Sequence, residues 1–343
     1  MQHRLLLYAL LVIAAVPSFA ARRRAVSPGA GRCSAGIVSF AAFPVLMASD
    51  GPYLYWLDEF GGEIRRTRVD GSGNPQLVGV IDDGLYLSMA VDDTHVYIGI
   101  LPFEAFLEPR PGSILSVPKD GGTVGTLISG VNTPWDLEAD GTHLYWAALG
   151  TLRLFEQELL PDGKIERARK DGSQRQALAE DLSAPFDVAV DDTDVYFGET
   201  GAADGDPTMG FYRVAKSGGP ITTILDDTLA AAIDVAGNDI VFWGGNFTSG
   251  GGLFHMTRNG AEMRKLFDDE TIVGAPRIFG GRVYFIAGEE ESDTARIRRI
   301  DLANPDDRTT VFEGVLTTDD FVVDECSVMF GDANAGVIRR LTR

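Results

Sequence analysis

The 343-residue chain has little of what most enzymes and helical proteins display. Apolar residues at helical spacing are nearly absent, so the fold is read as all-β. No G-x-S-x-G, P-loop, H-E-x-x-H or dinucleotide glycine fingerprint stands in a suitable context. Histidine is scarce: the four are His3, His95, His143 and His255, and none has metal-ligand spacing. Cysteine is scarcer still, with Cys33 and Cys326 near opposite ends. Basic residues are outnumbered, 30 Lys plus Arg against 50 Asp plus Glu, a net charge of −20. Such a chain repels nucleic acid and anionic membrane surfaces. The charge reads as solubility, or as a preference for cations or basic partners.

Long hydrophobic runs are missing too, except for Leu5 to Val16. Arg4 precedes that run and Ser18-Phe19-Ala20 follows it, the pattern of a secretory signal cut near Ala20. The run is shorter than the roughly 20 residues of a membrane span. The expected division is therefore a signal peptide at 1–20, a linker at 21–35 and one domain at 36–343. The expected location is secreted or periplasmic. Export also implies an oxidising compartment, where Cys33 and Cys326 are expected to pair.

What is present is a repeat. An apolar residue, usually an aromatic, then a large apolar residue recur as Leu54-Tyr55-Trp56, Val96-Tyr97-Ile98, Leu144-Tyr145-Trp146, Val195-Tyr196-Phe197, Ile240-Val241-Phe242, Val283-Tyr284-Phe285 and Val328-Met329-Phe330. The spacings are 42, 48, 51, 45, 43 and 45 residues, the size of a four-stranded propeller blade. A strand and a tight polar turn precede each phrase, as in Ala90 to His95. A loop, a strand and a glycine turn such as Asp120-Gly121-Gly122 follow it, and Asp-Gly supplies the positive φ of a hairpin turn. We label the strands A to D from the channel outward. The seventh unit ends after strand C. Gly36 to Phe40 is otherwise unassigned and is expected to supply the missing strand D, closing the ring and removing exposed edges. The prediction is a β-propeller of seven four-stranded blades, with a six-bladed ring as the competing count. Closure also places Cys33 beside the A–B turn that holds Cys326.

At Tyr55-Trp56-Leu57-Asp58, Ile64 to Ser72 and Ile165 to Ser173 the chain resembles the YWTD propeller family of low-density-lipoprotein-receptor-type proteins, which has bacterial relatives. The resemblance implies a propeller and a bacterial secreted member. The family's rings usually have six blades, and Leu57 stands where its signature has threonine. Propellers host unrelated activities, so the resemblance does not imply a receptor.

Loop length separates the two faces. The A–B turns are short. Several B–C loops are long, including 99–112, 149–163, 199–210 and 244–252. Long loops on a rigid scaffold are where binding concentrates. Phe103 and Phe106 in one loop, and Leu152, Phe155 and Leu159 in another, are candidate contacts for a protein or glycan ligand; the alternative is that these loops pack together and cap the channel. Near the starts of the A strands lie Ser88, Asp136, Asp187, Asp234, Arg277 and Asp320. Two readings stand for the carboxylates: braces for backbone N–H groups between blades, or ligands to a channel Ca²⁺. The leading expectation is a monomeric, noncatalytic binding module that acts through its B–C loop face, with no cofactor. The alternative is a Ca²⁺-dependent hydrolase, lactonase or lyase with its site in the channel.

Overall fold

The computed structural model describes residues 35–40, 44–58, 61–82, 84–106, 108–153, 158–201, 209–246, 250–268, 271–272, 274–288, 294–332 and 334–343. The signal segment and Cys33 lie outside them. The described residues form seven antiparallel blades, most of them a meander of four successive strands, and a small two-stranded hairpin besides. Blade 1 runs Pro44–Ser49, Tyr53–Asp58, Glu63–Arg68 and Gln76–Val80. In blade 6 the innermost strand comes in two pieces, Thr271–Ile272 and Arg277–Phe279. Blade 7 contributes Leu316–Val323, Ser327–Asp332 and Val337–Thr342, and the fourth strand is Gly36–Phe40. That strand pairs antiparallel with Val337–Thr342, Gly36 opposite Arg340, so the ring is closed by its two ends.

The repeated phrase is strand B, and its period-two alternation explains the core. Successive side chains point to opposite faces of a blade, and each face packs on a neighbour. Leu54 and Trp56 join Met329 and Ile338 across the seam of blades 7 and 1, whereas Tyr55 and Leu57 join Met89 and Val96 across the next seam. Seven apolar layers arise this way, one per seam. An eighth apolar cluster is different. Leu87, Trp135, Phe186 and Ala231 come from the starts of four A strands, with Ala105 and Leu159 from B–C loops. It lies toward the B–C end of the central channel.

Backbone irregularities build that plug. The A–B ladders slip between Tyr86 and Ser88, between Pro134 and Asp136, and between Pro185 and Val188. A bulge leaves a residue out of the ladder and re-aims its neighbours. The residues left out include Leu87, Trp135 and Phe186, and all three enter the plug. The Trp135 and Phe186 rings meet there at 5.1 Å between centroids.

Candidate functional site

These bulges and the ladder shifts of blades 5 and 7, between Ala231 and Ile233 and between Leu316 and Phe321, position the channel carboxylates. Asp136 Oδ2 of blade 3 accepts the Val188 N–H of blade 4 at 2.9 Å. Asp187 of blade 4 accepts the Ile233 N–H of blade 5. Asp234 Oδ2 of blade 5 accepts the Ile278 N–H of blade 6 at 2.6 Å, and Asp320 Oδ2 of blade 7 accepts the Met47 N–H of blade 1 at 2.7 Å. Ser88 takes part with the opposite polarity, its hydroxyl donating to the Pro134 carbonyl at 3.1 Å. Arg277 Nη2 of blade 6 lies 3.4 Å from Asp320 Oδ1, and Nη1 donates to the Pro276 carbonyl at 3.2 Å. Each of these side chains therefore joins its own A strand to the next, or caps that strand's start. Among the described residues, no three His, Cys, Asp or Glu side chains gather closely enough to hold a metal ion.

A second set of inter-blade contacts lies at the A–B turns. Asp92 Oδ1 accepts the backbone N–H groups of Thr94 and His95 at 2.6 and 2.7 Å, which sets the tight turn. Its other oxygen accepts the Tyr97 hydroxyl at 3.0 Å, and Lys170 Nζ of the next blade closes on it at 2.9 Å. The pattern repeats as Asp50, Tyr55 and Lys119, then Asp140, Tyr145 and Lys216, then Asp191, Tyr196 and Arg258. Burial opposes ionisation of Asp92, but Lys170 and the His95 and Thr94 amides outweigh it and hold the carboxyl well below the usual range. Asp140 follows the same balance, with Lys216 and the Thr142 and His143 amides outweighing burial. Burial and the Asp50 carboxylate push the Tyr55 hydroxyl upward, so it stays a donor.

Three of these staples border a cavity of about 910 Å³ at the A–B end of the channel. Its rim carries Asp93, Gly141, Thr142 and Asp192 of the turns, and Lys170, Lys216 and Arg258 of the staples. Deeper, it is lined by Glu138, Asp234, Arg277 and Phe321. Among the described residues, apolar side chains cluster at the B–C end of the channel, and the cavity at the A–B end has a mixed lining of polar and apolar side chains.

The loop candidates divide. Phe103 opens a 3₁₀ turn, Phe103–Phe106, and is 51% exposed, while Ala105 of the same turn is buried in the plug. Leu152 pairs with Leu159 in a small hairpin, and Leu159 packs against the plug. Asp162 holds the hairpin's base, accepting the Thr151 N–H at 2.7 Å. The Phe106 side chain and Phe155 lie outside the described residues, as does Cys33. Cys326 sits in the blade 7 A–B turn, where its N–H donates to Asp324 Oδ1 at 2.7 Å. His255 Nε2 lies 2.8 Å from Asp239 Oδ1, within blade 5.

The staples are absent from the sequence-derived candidates, yet their signal is in the sequence. An aspartate stands five residues before the strand B tyrosine at 50, 92, 140 and 191. A basic residue precedes the C–D glycine turn at Lys119, Lys170, Lys216 and Arg258. The two halves belong to successive units, so neither is conspicuous within one repeat.

No protein-family model matches the chain, and no curated protein matches it in sequence. Solved structures do share the fold. One is YCF48 bound to a D1 peptide, at TM-score 0.61 and 10% identity, covering 93% of this chain and 99% of that one. Another is the propeller in a nidogen/laminin complex, at TM-score 0.53 and 15% identity, covering 78% and 95%. A puromycin hydrolase matches at TM-score 0.59 and 16% identity over 91% of this chain, which spans only 52% of the hydrolase. At such identities the likeness speaks for architecture alone: this chain is an all-β, seven-bladed propeller closed by its N-terminal strand.

Proposed function

We propose that the protein is a noncatalytic binding module whose protein ligand enters the channel mouth on the A–B face. The observation that carries this reading is the cavity of about 910 Å³ at the A–B end of the channel, bordered by side chains of several blades. Ligand sites are concave and largely pre-formed, with a few converging polar groups. The cavity meets that description, and the ion-paired turns around it give it a rigid rim. Two of the structural neighbours, the propellers of YCF48 and of the nidogen/laminin complex, are seen with a peptide or protein partner, which is consistent with this use of the fold. Phe103 favours a second contact surface on the B–C face, because an aromatic held half-exposed on an ordered turn is a ready anchor.

The test is a photo-crosslinking amino acid placed at Thr142 on the rim, with a second chain carrying it at Phe103, each expressed in the native host. The reading expects one defined protein adduct from position 142. An adduct from 103 alone would move the site to the B–C face, and none from either would remove the binding role.

We take the protein to be exported, secreted or periplasmic, with the leader removed near Ala20 and Cys33 bonded to Cys326. The support is the leader pattern and the placement of Gly36–Phe40 in blade 7, the blade that carries Cys326. A mature N-terminus far from Ala21, or two titratable thiols in the unfolded, unreduced protein, would count against it.

A further inference from the structure

We propose that the A–B turn of blade 6, at the edge of the cavity, binds a carboxylate from the ligand, an aspartate or glutamate side chain. This rests on the proposed function and names a chemical group of the ligand. The staple series carries the argument. Its members keep fixed places: three residues before strand B, the third residue of strand B, and the residue just after strand C of the next blade. At four seams these are an aspartate, a tyrosine and a basic residue. Between blades 5 and 6 all three are apolar: Ala236, Val241 and Leu302. Between blades 6 and 7 the tyrosine and the cation remain as Tyr284 and Arg343, but Phe279 stands in the aspartate's place.

The groups that an aspartate serves elsewhere are therefore still there. Tyr284 is fully buried and packs toward Phe321 and Val328 of blade 7. Its hydroxyl has no hydrogen-bond partner. A buried polar group in that condition is costly and calls for an explanation. Arg282 points to the same face of strand B, two residues earlier. Its Nε is likewise buried without a hydrogen-bond partner, 3.6 Å from Asp301 Oδ2. The Arg343 guanidinium lies over the Phe279 ring, 4.5 Å from its centroid, and Nη1 meets the Asp324 carbonyl at 3.5 Å. Arg299, paired with Tyr284 across the ladder, donates to the Thr309 hydroxyl at 3.2 Å. Burial pushes the Tyr284 hydroxyl upward against the pull of Arg343, Arg299 and Arg282, so it stays a donor. A tyrosine O–H beside a guanidinium is the set that holds Asp191 through Tyr196 and Arg258. One incoming carboxylate completes it with charge-assisted bonds. The cavity gives the approach, since Phe279 and Gly280 both line it. Gly280 lies against Arg343, where a Cβ would come 3.3 Å from Nη1, so any larger residue would crowd the guanidinium.

The experiment measures thermal unfolding of the full mature chain at pH 7 in acetate, with ionic strength held constant by chloride. An anion that binds only the folded state raises the midpoint. About 100 mM acetate is expected to raise the wild-type midpoint by roughly 2 °C more than that of Phe279→Asp, which carries its own carboxylate. Phe279→Asp is also expected to melt higher than wild type in chloride. Arg343→Met provides a second route should that variant fail to fold, and it is expected to lose most of the acetate response. Equal acetate responses in wild type and in either variant overturn the inference. A larger variant-sensitive rise with inorganic phosphate overturns it in favour of a phosphoryl group. In fluorescence anisotropy, a labelled, end-blocked glycine pentapeptide with a central aspartate is expected to bind at least about fivefold more tightly than its asparagine counterpart. Equal affinity of the two peptides overturns it as well. A rim adduct at position 142 without any carboxylate effect would sink this inference alone, whereas absence of that adduct sinks the binding reading beneath it.

Discussion

Lys170 of blade 3 reaches across a blade seam to Asp92 of blade 2, closing at 2.9 Å on a carboxylate that is almost wholly buried. The carboxylate also sets its own turn and accepts the Tyr97 hydroxyl, so one side chain ties together turn, strand and neighbouring blade. Three further seams repeat this arrangement, and Lys170, Lys216 and Arg258 of the set border the cavity.

Asp92→Asn should therefore cost more than a surface substitution. The turn keeps an acceptor, but the charge-assisted bond to Lys170 is lost, so a destabilisation of about 1–3 kcal/mol is expected. The Asp92→Asn and Lys170→Met pair should be non-additive in a double-mutant cycle by urea unfolding. Additive losses would mean that the contact contributes nothing across the seam.

Acid should loosen the ring at its staples. The carboxyls of Asp92, Asp140 and Asp191 are lowered in the folded state, so each contributes stability that is present above its unfolded value near 3.9. That contribution is lost as pH falls through the lower folded values. Thermal midpoints from these groups should stay flat from neutral pH down to about 5 and then drop below about 4. In Asp92→Asn the drop should be shallower. An unchanged acid profile in that variant would contradict the assignment.

Gly244 marks a close approach of backbones. A Cβ there would lie 1.8 Å from the Leu229 carbonyl oxygen. Because the contact is with backbone, Gly244→Ala must shift strand A of blade 5, at a cost of about 1–3 kcal/mol or more. Gly141→Ala, in open space, serves as the control and should be nearly neutral. Similar midpoints for the two variants would show that blade 5 tolerates the displacement.

The proposed Cys33–Cys326 bond closes a loop of nearly the whole domain. The chain-entropy model gives such a bridge roughly 5 kcal/mol, less any strain. Reduction should lower the unfolding midpoint markedly, and Cys326→Ser should reproduce the reduced protein. No difference between oxidised and reduced protein would argue against a bond at the ring seam.

The repeat and its closure were legible because local pattern determines them. Tyr55, Tyr97, Tyr145 and Tyr196 mark strand B by alternation, and the blade that ends at Thr342 without a fourth strand demands Gly36–Phe40. The channel was legible only as a set of residues. Asp136 and Trp135 are adjacent in sequence, yet one clasps the next blade and the other fills the plug. A bulge decides that division, and bulges leave no hydrophobic period to read. Loop length directed attention to the B–C face. Part of that length is spent inward, since Ala105 and Leu159 pack into the channel end. Lys170 and Asp92 stayed hidden because their contact joins two successive units.

The central claim is that ligand binds at the open A–B mouth. The most direct measurement takes a peptide selected from a display library on the wild-type chain and compares its affinity for Gly141→Trp and for Phe103→Ala. The account predicts that the tryptophan abolishes binding, while loss of Phe103 changes it by less than about threefold, under 1 kcal/mol. Undiminished binding to Gly141→Trp, with loss in Phe103→Ala, would contradict the account and place the ligand on the opposite face of the ring.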